Sequence, residues 1–341
     1  MKIAIHHNEK SQDFSPKWIE YCERRSIAYK VVNAYDNDII EQVSDCDGFL
    51  WHFSHINYKD MLFAKQLLFA LEMAGKKVFP DFRTAWHFDD KVGQKYLLEA
   101  IGAPLIPSYV FYNQQEAQKW INEVAFPKVF KLRGGSGAVN VQLVRNRQEA
   151  SRLVRKAFGK GFPQYNSWES LRERWRKYRQ GQTDFKDVLK GIARFVYKTD
   201  FAQMRPNEKG YVLFQDFIPG NNFDTRVVVI GGKRALCEQR FCREGDFRAS
   251  GSGNFKYGEV PPEILEVAFR VAQELKLQSV AFDFILQEKK PLIVEMSYGF
   301  GAKGLAHCPG YYSADLKWHA EPEPFFWGWM VEELLASGTE G

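Results

Sequence analysis

The sequence predicts a mixed α/β (α+β) fold, in which a small domain with a parallel sheet precedes a larger region of antiparallel strands and helices. Three observations lead to this prediction. Residues 1 to about 80 alternate short apolar strands with helical segments, the pattern of an open parallel sheet. Residues 127–144 and 227–242 each hold two alternating strands around a Gly-containing turn. A helical segment at 262–275 is followed by a strand hairpin within 282–295.

The composition is that of a globular protein with ample core. The chain has 341 residues, of which 45% are hydrophobic and 26% charged, and this length suits two or three subdomains. No segment approaches the roughly 20 apolar residues of a membrane span, and the first seven residues contain no apolar run of signal-peptide length. The five cysteines are odd in number and show no zinc-binding spacing. We therefore expect a protein of the reducing cytoplasm.

The N-terminal region is predicted to form four strands and two helices. The strands are Lys2–Ile5, Tyr29–Val32, Phe49–His52 and Lys77–Phe79, and the helices are Ser15–Ser26 and Tyr58–Met73. Ser15 is the expected N-cap of the first helix, with Pro16 at its first helical position. Open parallel sheets bind ligands beyond the carboxyl ends of their strands. There the third strand runs into Trp51-His52-Phe53-Ser54-His55, which we interpret either as part of a substrate site or as ordinary loop packing.

A Gly-rich hairpin is predicted in the next region. It follows a helix from about Asp89 to Ile101, which carries Lys91 in its first turn. Two alternating strands flank the turn Arg133-Gly134-Gly135-Ser136-Gly137-Ala138. Because a strand and not a helix follows the glycines, this turn is not a P-loop. It is either a plain flexible hairpin or a lid whose backbone N–H groups approach phosphates, with Lys131 beside it.

Residues 159–205 are predicted to be an insertion. Gly159 and Pro163 interrupt the preceding helix, and residues 151–205 contain 14 Lys or Arg against 5 Asp or Glu. A helix at Ser167–Arg179 would carry an apolar stripe made of Trp168, Leu171, Trp175 and Tyr178. Two interpretations stay open. Either the basic face binds an anionic partner such as nucleic acid, an anionic polymer or a membrane surface, or the stripe packs on its own domain and the charges are solvated.

The later region is predicted to hold strands, a polar Gly-rich loop at 243–253 and two helices. The strands and helices are, in chain order, Gly210–Gly220, Val227–Ile230, Ala235–Cys242, Pro262–Leu275 and Phe326–Leu335. Asp224-Thr225-Arg226 leads into the second of these strands. The last helix is expected to pack back on the body of the protein.

Two carboxylates interrupt the apolar hairpin between 282 and 295. Asp283 and Glu295 stand where strand propensity favours apolar side chains. If the hairpin centres on Lys289, the two residues lie directly opposite each other, with Cβ atoms roughly 5 Å apart. A buried carboxylate is costly unless it is paired or holds a metal. The sequence leaves two interpretations: a shared site for one hard cation, or a separate Arg or Lys partner for each carboxylate.

Together these features resemble the ATP-grasp superfamily. The similarity is closest to the branch of ribosomal-protein glutamate ligases, lysine-biosynthesis ligases and glutathione synthetases, and it covers about residues 80–305. Glu244-Gly245-Asp246-Phe247-Arg248 and Pro291-Leu292-Ile293-Val294-Glu295-Met296 are especially similar to that branch. The resemblance implies a two-lobed ATP-grasp domain behind the N-terminal domain. The implied divisions are an N-terminal domain (1–85), an N-lobe with the lid and the insertion (86–217), a C-lobe with the metal site (218–320) and a C-terminal helix and tail (321–341).

The resemblance also implies roles for individual residues. ATP would be bound by Lys91, Lys131, Gly134, Gly135, Ser136, Gly137, Gln215, Asp216, Phe217, Ile218 and Asp224. In this set Gly134–Gly137 would form the lid, Gln215–Ile218 the linker that reads the adenine edge, and Asp224 the ribose contact. The implied catalytic residues are Arg226, Arg248 and Ser250, with the arginines neutralising charge on the transferred phosphate. Mg²⁺, or Mn²⁺ in its place, would be held by Asp283, Glu295 and Ser297.

Three features depart from that branch. Ser297 stands where the branch has an Asn metal ligand, Ala249-Ser250 stands where its loop carries Asn, and its compact members lack the basic insertion. The implied activity is an ATP-dependent carboxylate–amine ligase that forms an amide through an acyl phosphate in peptide, small-metabolite or cell-surface polymer biosynthesis. Its substrates would be small-molecule or peptide carboxylates and amines. Two alternatives stay open: a nucleotide-binding regulator or scaffold without ligase chemistry, and a binder of an anionic polymer through the insertion.

Overall fold

The computed structural model describes residues 1–7, 13–135, 140–163, 171, 174–175, 178–179, 184–193, 206–243, 245–251 and 253–336. The chain forms two compact units. The first comprises Met1–Ser54, Lys59–Ile106 and Ile218–Gly341, and the second comprises His55–Tyr58 and Pro107–Phe217. Within the described ranges, no helix is both long enough and apolar enough to cross a membrane.

The N-terminal region alternates strands and helices, as predicted. In chain order its elements are β1 (Lys2–His6), α1 (Ser15–Arg24), β2 (Ala28–Val32), α2 (Ile39–Gln42), β3 (Gly48–Leu50), α3 (Tyr58–Met73), β4 (Lys77–Phe79), α4 (Phe82–Ala85) and α5 (Lys91–Ala100). The strands form one parallel sheet in the order β2-β1-β3-β4. Ile3 and Ile5 face one core and Ala4 faces another. Burial on both faces explains why β1 is an almost continuous apolar run.

Two N-terminal details differ from the prediction. Ser15 is the first residue of α1 and not its N-cap, because Phe14 already has helical backbone angles (φ −84°, ψ −17°). Pro16 is therefore the second helical residue, and the hydroxyl of Ser15 donates to Asp13. The third strand ends at Leu50, two residues earlier than predicted, so the polar-aromatic stretch lies in the loop beyond it.

The second unit is built on an antiparallel sheet. Its elements are β5 (Ser108–Phe111), α6 (Gln114–Glu123), β6 (Lys128–Lys131), β7 (Val141–Val144), α7 (Arg147–Phe158), α8 (Phe185–Ala193) and β8 (Val212–Asp216), and its strand order is β5-β8-β6-β7. β6 pairs with β7 from Lys128 to Lys131, which confirms the hairpin around the Gly-rich turn. Residues 136–139 at the tip of that turn and most of the basic helix predicted at 167–179 lie outside the described residues.

A large antiparallel sheet forms the rest of the first unit. Its elements are β9 (Phe223–Ile230), β10 (Arg234–Phe241), β11 (Phe255–Lys256), α9 (Pro262–Glu274), β12 (Ser279–Gln287), β13 (Lys290–Ser297), α10 (Ala302–Leu305), β14 (Gly310–Ser313), β15 (Trp318–Ala320) and α11 (Phe326–Ala336). The strand order is β13-β12-β9-β10-β14-β15, with β11 paired to β10. The hydroxyl of Tyr21 on α1 donates to Glu332 on α11 at 2.7 Å, so the last helix packs back as predicted.

Candidate active site

The candidate site lies on one face of the central strands β9, β10 and β12. Residues on this face alternate with residues that pack under α9, because successive strand side chains point to opposite sides. Toward one end the face is apolar, and Val228, Leu236 and Ala281 belong to the core shared with α1 and α11. Toward the other end the same face carries five ionisable residues, which we call the charged network: Asp224, Arg226, Glu238, Arg240 and Asp283.

The strand register brings the charged network together. Arg226 lies opposite Glu238 on β10 and opposite Asp283 on β12. Nε and Nη2 of Arg226 donate to the two oxygens of Asp283 at 2.8 and 3.1 Å. Arg240 donates to both oxygens of Asp224 at 2.7 and 2.6 Å, and its Nη2 also lies 2.6 Å from Oδ2 of Asp283. Asp283 therefore holds two guanidinium groups at once.

Burial and pairing act in opposite directions on the pKa values of the network. Burial raises the pKa of Asp283, but Arg226 and Arg240 outweigh it and hold that pKa well below its ordinary range. Burial raises the pKa of Asp224 to about 6 against the opposing effect of Arg240. Burial also raises the pKa of Glu238 to about 7, which both arginines oppose. Asp283 is thus the carboxylate of the network that the arginines keep ionised.

The hairpin of β12 and β13 places Asp283 directly opposite Glu295, as predicted, but by a different route. The turn consists of Glu288 and Lys289, whose φ angles of 50° and 67° match a type I′ hairpin turn. This turn alone would set Asp283 against Val294. A bulge in which Val294 is the extra residue restores the pairing of Asp283 with Glu295.

Glu295 and the predicted third metal ligand have their own partners. Nζ of Lys91, the first residue of α5, lies 3.7 Å from Oε2 of Glu295. The hydroxyl of Ser297 donates to the backbone oxygen of Gly299 at 2.9 Å. Each hairpin carboxylate therefore has a basic neighbour, which is one of the two arrangements that the sequence left open.

The oxygen ligands of the hairpin suit Mg²⁺. Asp283 and Glu295 come from neighbouring strands, and the Glu295 side chain is 32% exposed. Mg²⁺ binds proteins through one or two carboxylates and keeps waters and phosphate oxygens as its other ligands. Among the described residues, no group of three or more His, Cys, Asp or Glu side chains is arranged to hold a metal. A metal at this hairpin would therefore share its coordination with a ligand such as phosphate.

In the second unit, the predicted lid follows β6. Lys131 is the last residue of β6 and is 6% exposed. Gly134 and Gly135 follow after Leu132 and Arg133, and the φ angle of Gly135 is 108°, which favours glycine. Ser136 and Gly137, also predicted to contact ATP, lie outside the described residues. The nucleotide roles of these residues stay predictions.

The predicted adenine-reading linker follows β8. Nε2 of Gln215 donates to the hydroxyl of Ser108 at 3.1 Å. Asp216 accepts from Nζ of Lys128 at 2.5 Å, and Lys128 is only 8% exposed. The boundary between the two compact units falls within Phe217–Ile218. Nothing in the sequence singles out the buried Lys128, since it directly follows a proline at the start of a strand.

The other predicted catalytic residues lie in the loop after β10. The guanidinium of Arg248 donates to both oxygens of Asp246, at 2.9 Å from Nε and 2.7 Å from Nη2. Burial raises the pKa of Asp246, but the hydrogen bonds from Arg248 bring it below its ordinary value. Ser250 accepts through its backbone oxygen from Arg243 at 3.5 Å. The catalytic roles of Arg248 and Ser250 stay predictions.

Sequence reasoning missed two members of the charged network, Glu238 and Arg240. A signal was present, because these residues stand two apart on β10, as Asp224 and Arg226 do on β9. Two such pairs on adjacent antiparallel strands lie on the same face of the sheet when the register places each residue of one pair opposite a residue of the other. The register itself, set by the turn at 231–233, was needed to align them.

A second group of residues, which we call the N-terminal polar cluster, comprises His7, Asp13, Ser15 and His52. Nδ1 of His7 lies 2.9 Å from Oγ of Ser15, which donates to Asp13. Nδ1 of His52 lies 3.8 Å from Oδ1 of Asp13, and these two side chains are only 10% and 5% exposed. The ring of His52 stacks on Phe14 with centroids 3.7 Å apart. The cluster thus holds an acid and two imidazoles in a largely enclosed setting.

The N-terminal polar cluster lies where ligands bind in open parallel sheets. His7 follows β1 and His52 follows soon after β3, and these neighbouring strands form the switch point of the order β2-β1-β3-β4. Tyr298 comes directly after Ser297 of β13, and its ring centroid lies 6.4 Å from that of His52. The hydroxyl of Tyr298 donates to the backbone oxygen of Phe53 at 2.5 Å. The cluster therefore adjoins the segment that follows the carboxylate hairpin.

Comparison with known proteins agrees with the resemblance read from the sequence. A model of the RimK-like ATP-grasp domain matches residues 196–311. The chain is similar to a probable alpha-L-glutamate ligase of Citrobacter koseri, with 28% identity over 121 residues that cover 33% of this chain and 40% of that protein. It is also similar to the ribosomal protein bS6–L-glutamate ligase of Escherichia coli O139:H28, with 26% identity over 103 residues that cover 29% and 34%. The chain thus spans 40% or less of the length of these relatives.

Solved structures match over nearly the whole chain. A RimK domain ATP-grasp protein from Sphaerobacter thermophilus has a TM-score of 0.59 and 16% identity, covering 98% of this chain and 100% of its own. The D-alanine–D-alanine ligase of Bacillus anthracis complexed with ATP has a TM-score of 0.56 and 14% identity, covering 90% and 89%. The ATP-grasp ligase PsnB, complexed with a minimal precursor, Mg and ADP, has a TM-score of 0.55 and 12% identity, covering 98% of each chain. Residues 196–311 are therefore similar to the RimK-like ATP-grasp domain, and the chain has the ATP-grasp fold.

Proposed function

We propose that the protein is an ATP-dependent ligase that joins a carboxylate to an amine. One observation carries the proposal: Asp283 faces Glu295 across a hairpin, beside Arg226 and Arg240, inside the region that matches the RimK-like domain. Carboxylates next to guanidinium groups suit a metal-bound triphosphate, because metal ions and arginines both stabilise charge on a transferred phosphoryl group. The ATP, ADP and Mg in the matched ligase structures support the same cofactors here.

In the proposed reaction, a substrate carboxylate attacks the γ-phosphorus of ATP, so that an acyl phosphate forms and ADP leaves. The amine then attacks the acyl carbon, loses a proton and displaces phosphate to give the amide. Asp283 and Glu295 would hold Mg²⁺, or Mn²⁺ in its place, which neutralises charge on the phosphates when bound. Arg226 and Arg248 would neutralise charge on the transferred group.

The remaining nucleotide contacts are proposed from the roles that the resemblance implies. Lys91 and Lys131 would contact the phosphates and the adenine side, Gly134–Gly137 would form the lid, and the backbone of Gln215–Ile218 would read the adenine edge. Asp224 would meet the ribose while its oxygens also hold Arg240. A closed lid would exclude water, which otherwise hydrolyses the acyl phosphate.

We propose the N-terminal polar cluster as the site of the amine substrate. Asp13 would accept hydrogen bonds from its ammonium group, and the imidazoles of His7 or His52 would take the proton that the amine must lose before it attacks. The position of the cluster beside the segment after β13 supports this assignment. L-Glutamate is the first amine to test, because both matched relatives are named as glutamate ligases.

The decisive experiment is Glu295→Gln, with phosphate release measured over panels of carboxylates and amines. We expect turnover to fall by about 10²–10³-fold, the usual loss when one charge-stabilising contact is removed from a transition state. ATP binding without Mg²⁺ should change little, because Gln keeps the shape of the side chain and adenine and ribose are held elsewhere. A calorimetric ATP titration measures this second quantity.

Glu288→Gln is the matched control, because Glu288 sits in the exposed turn of the same hairpin. It should leave turnover unchanged. Full activity of Glu295→Gln would contradict the assigned role of Glu295. Absence of any Mg²⁺-dependent ATP turnover by the wild-type protein across the panels would contradict the proposed activity itself.

A further inference from the structure

Glu238 is the one member of the charged network that stability does not explain. Its side chain is 2% exposed. In the described part of the chain, Oε2 of Glu238 is buried without a hydrogen-bond partner. A buried polar atom without a partner destabilises the folded state, and apolar residues of similar volume often replace buried charges without loss of stability. Stability therefore does not account for a glutamate at position 238, which points to a functional role.

The surrounding chain leaves space for this carboxylate. A Cβ atom added to Gly304 on α10 would lie 1.8 Å from Oε2 of Glu238 and 3.0 Å from its Cδ. The backbone oxygen of Gly304 already accepts from the hydroxyl of Tyr257, so it is satisfied independently of Glu238. Gly304 therefore accommodates Glu238 by lacking a side chain, while the carboxylate has no fixed partner on that side.

Arg226 connects Glu238 to the proposed metal site. Within the described residues, the guanidinium of Arg226 donates hydrogen bonds to Asp283 alone. Asp283 is its neighbour across β12, and Glu238 is its neighbour across β10 on the same face. Directly opposite residues on antiparallel strands have Cβ atoms roughly 5 Å apart. Arg226 thus lies between the carboxylates of Asp283 and Glu238, and among the described residues it donates hydrogen bonds to Asp283 alone.

We propose that Glu238 is a positioning residue, the second carboxylate partner of Arg226, which receives the guanidinium when Mg²⁺ engages Asp283. The inference rests on the proposed function. Arg226 has five N–H donors, so one edge of its guanidinium pairs with Glu238 while the remaining donors face the phosphates. Arg240 needs no new partner, because it keeps both oxygens of Asp224. Glu238 therefore lowers the cost of transferring Asp283 from arginine to metal.

Glu238→Gln tests this role without changing the size of the side chain. The experiment titrates Mg²⁺ into the 341-residue protein at fixed ATP concentration and follows nucleotide binding. We expect the Mg²⁺ concentration at half-saturation to rise about tenfold, while the affinity for ATP without Mg²⁺ stays unchanged. The melting temperature of the ligand-free variant should equal or exceed that of the wild type, because a buried carboxylate is removed. A purely structural role of Glu238 predicts a lower melting temperature instead.

Four further variants make the test specific. Gly304→Ala should raise the Mg²⁺ requirement in the same direction, because the new Cβ displaces Glu238 and leaves its charge in place. Arg226→Gln combined with Glu238→Gln should need no more Mg²⁺ than Arg226→Gln alone, because Glu238 acts through Arg226. Glu274→Gln, on the exposed side of α9, is the control and should match the wild type.

The possible failures are distinguishable. An unchanged Mg²⁺ requirement in Glu238→Gln overturns the role of Glu238 and leaves the ligase proposal in place. The same holds if the effects of the Arg226 and Glu238 substitutions simply add. If the wild-type protein binds ATP without any dependence on Mg²⁺, both the metal site and the role of Glu238 are overturned.

Discussion

Two regions of the first unit bury ionisable side chains in opposite ways. In the charged network, Asp283 is buried and the side chain of Asp224 is only 13% exposed, and each accepts charged hydrogen bonds from arginine. In the N-terminal region, His87 is 0% exposed, and neither ring nitrogen has a hydrogen-bond partner among the described residues. Burial, assisted by Lys65, lowers the pKa of His87 to about 3. The first region keeps its charges inside the protein, and the second keeps its histidine neutral.

The contrast between the charged network and His87 distinguishes side chains buried for a function from side chains buried for packing. Burying a charged side chain costs free energy because water is lost, and charged partners offset this cost. Buried charges with strongly shifted pKa values are common at functional sites. A neutral buried histidine avoids the larger cost of a buried charge, although its two ring nitrogens still lose their hydrogen bonds to water. We therefore propose a chemical role for the charged network and a structural role for His87, and substitutions of Arg240 and His87 test this proposal.

Arg240→Met should have the largest effect on folding. It removes the guanidinium that joins Asp224 to Asp283 and leaves Asp224 buried without its bidentate partner. Removing one partner of a buried ion pair typically costs about 3–5 kcal/mol, and we expect a loss in this range in urea unfolding at neutral pH. Arg270→Met is the control, because Arg270 forms an exposed i,i+4 pair on α9 and should cost about 0.5 kcal/mol or less. A loss below about 1 kcal/mol for Arg240→Met would show that pairing does not stabilise this region.

His87 should make folding sensitive to acid. Its pKa is about 3 in the folded protein and about 6.5 in the unfolded chain, so between these values only the unfolded chain binds the proton. The free energy of unfolding therefore falls as the pH drops below about 6.5, by about 2 kcal/mol at pH 5. His87→Leu should remove this part of the pH dependence, whereas the exposed His307→Gln should retain it. Identical pH dependence of wild type and His87→Leu would disprove the assignment.

The sequence was sufficient where periodicity decides the structure. The parallel sheet and the hairpin around the Gly-rich turn follow from apolar patterns that the structure retains. The opposition of Asp283 and Glu295 is also present, but it was predicted through two errors that cancel. The predicted centre at Lys289 ignores both the two-residue turn and the bulge at Val294, and such a bulge depends on contacts with neighbouring strands that the sequence does not display.

The sequence was insufficient where burial depends on the assembled sheet. Glu238 and Arg240 alternate with Cys237 and Phe241, a pattern that also describes an edge strand with one face in water. Gly304 of α10 lies against Glu238, so this part of the burial arises only when α10 covers that face. The stretch after β3 shows the same limit, because Trp51 joins the core while the adjacent His52 faces the N-terminal polar cluster.

Asp13→Asn should have the smallest effect. It tests whether the charged network and the N-terminal polar cluster have separate functions. The charged network is proposed to act on ATP and the acyl phosphate, and the N-terminal polar cluster on the amine. We therefore expect the KM for the amine to rise about tenfold, equivalent to about 1.4 kcal/mol, while the KM for ATP stays unchanged. Asp38→Asn, an exposed aspartate of the same domain, is the control.

Hydroxylamine distinguishes a defect in the amine site from a defect in the chemistry. It is small and largely uncharged at neutral pH, so it attacks an acyl phosphate without needing an ammonium site, and a hydroxamate forms as phosphate leaves. Asp13→Asn should therefore form hydroxamate from the carboxylate substrate and ATP at the wild-type rate, although its amide formation at low amine concentration is slowed. Equal losses of hydroxamate and amide would place Asp13 in the acyl phosphate step. An unchanged KM for the amine would remove the N-terminal polar cluster from substrate binding.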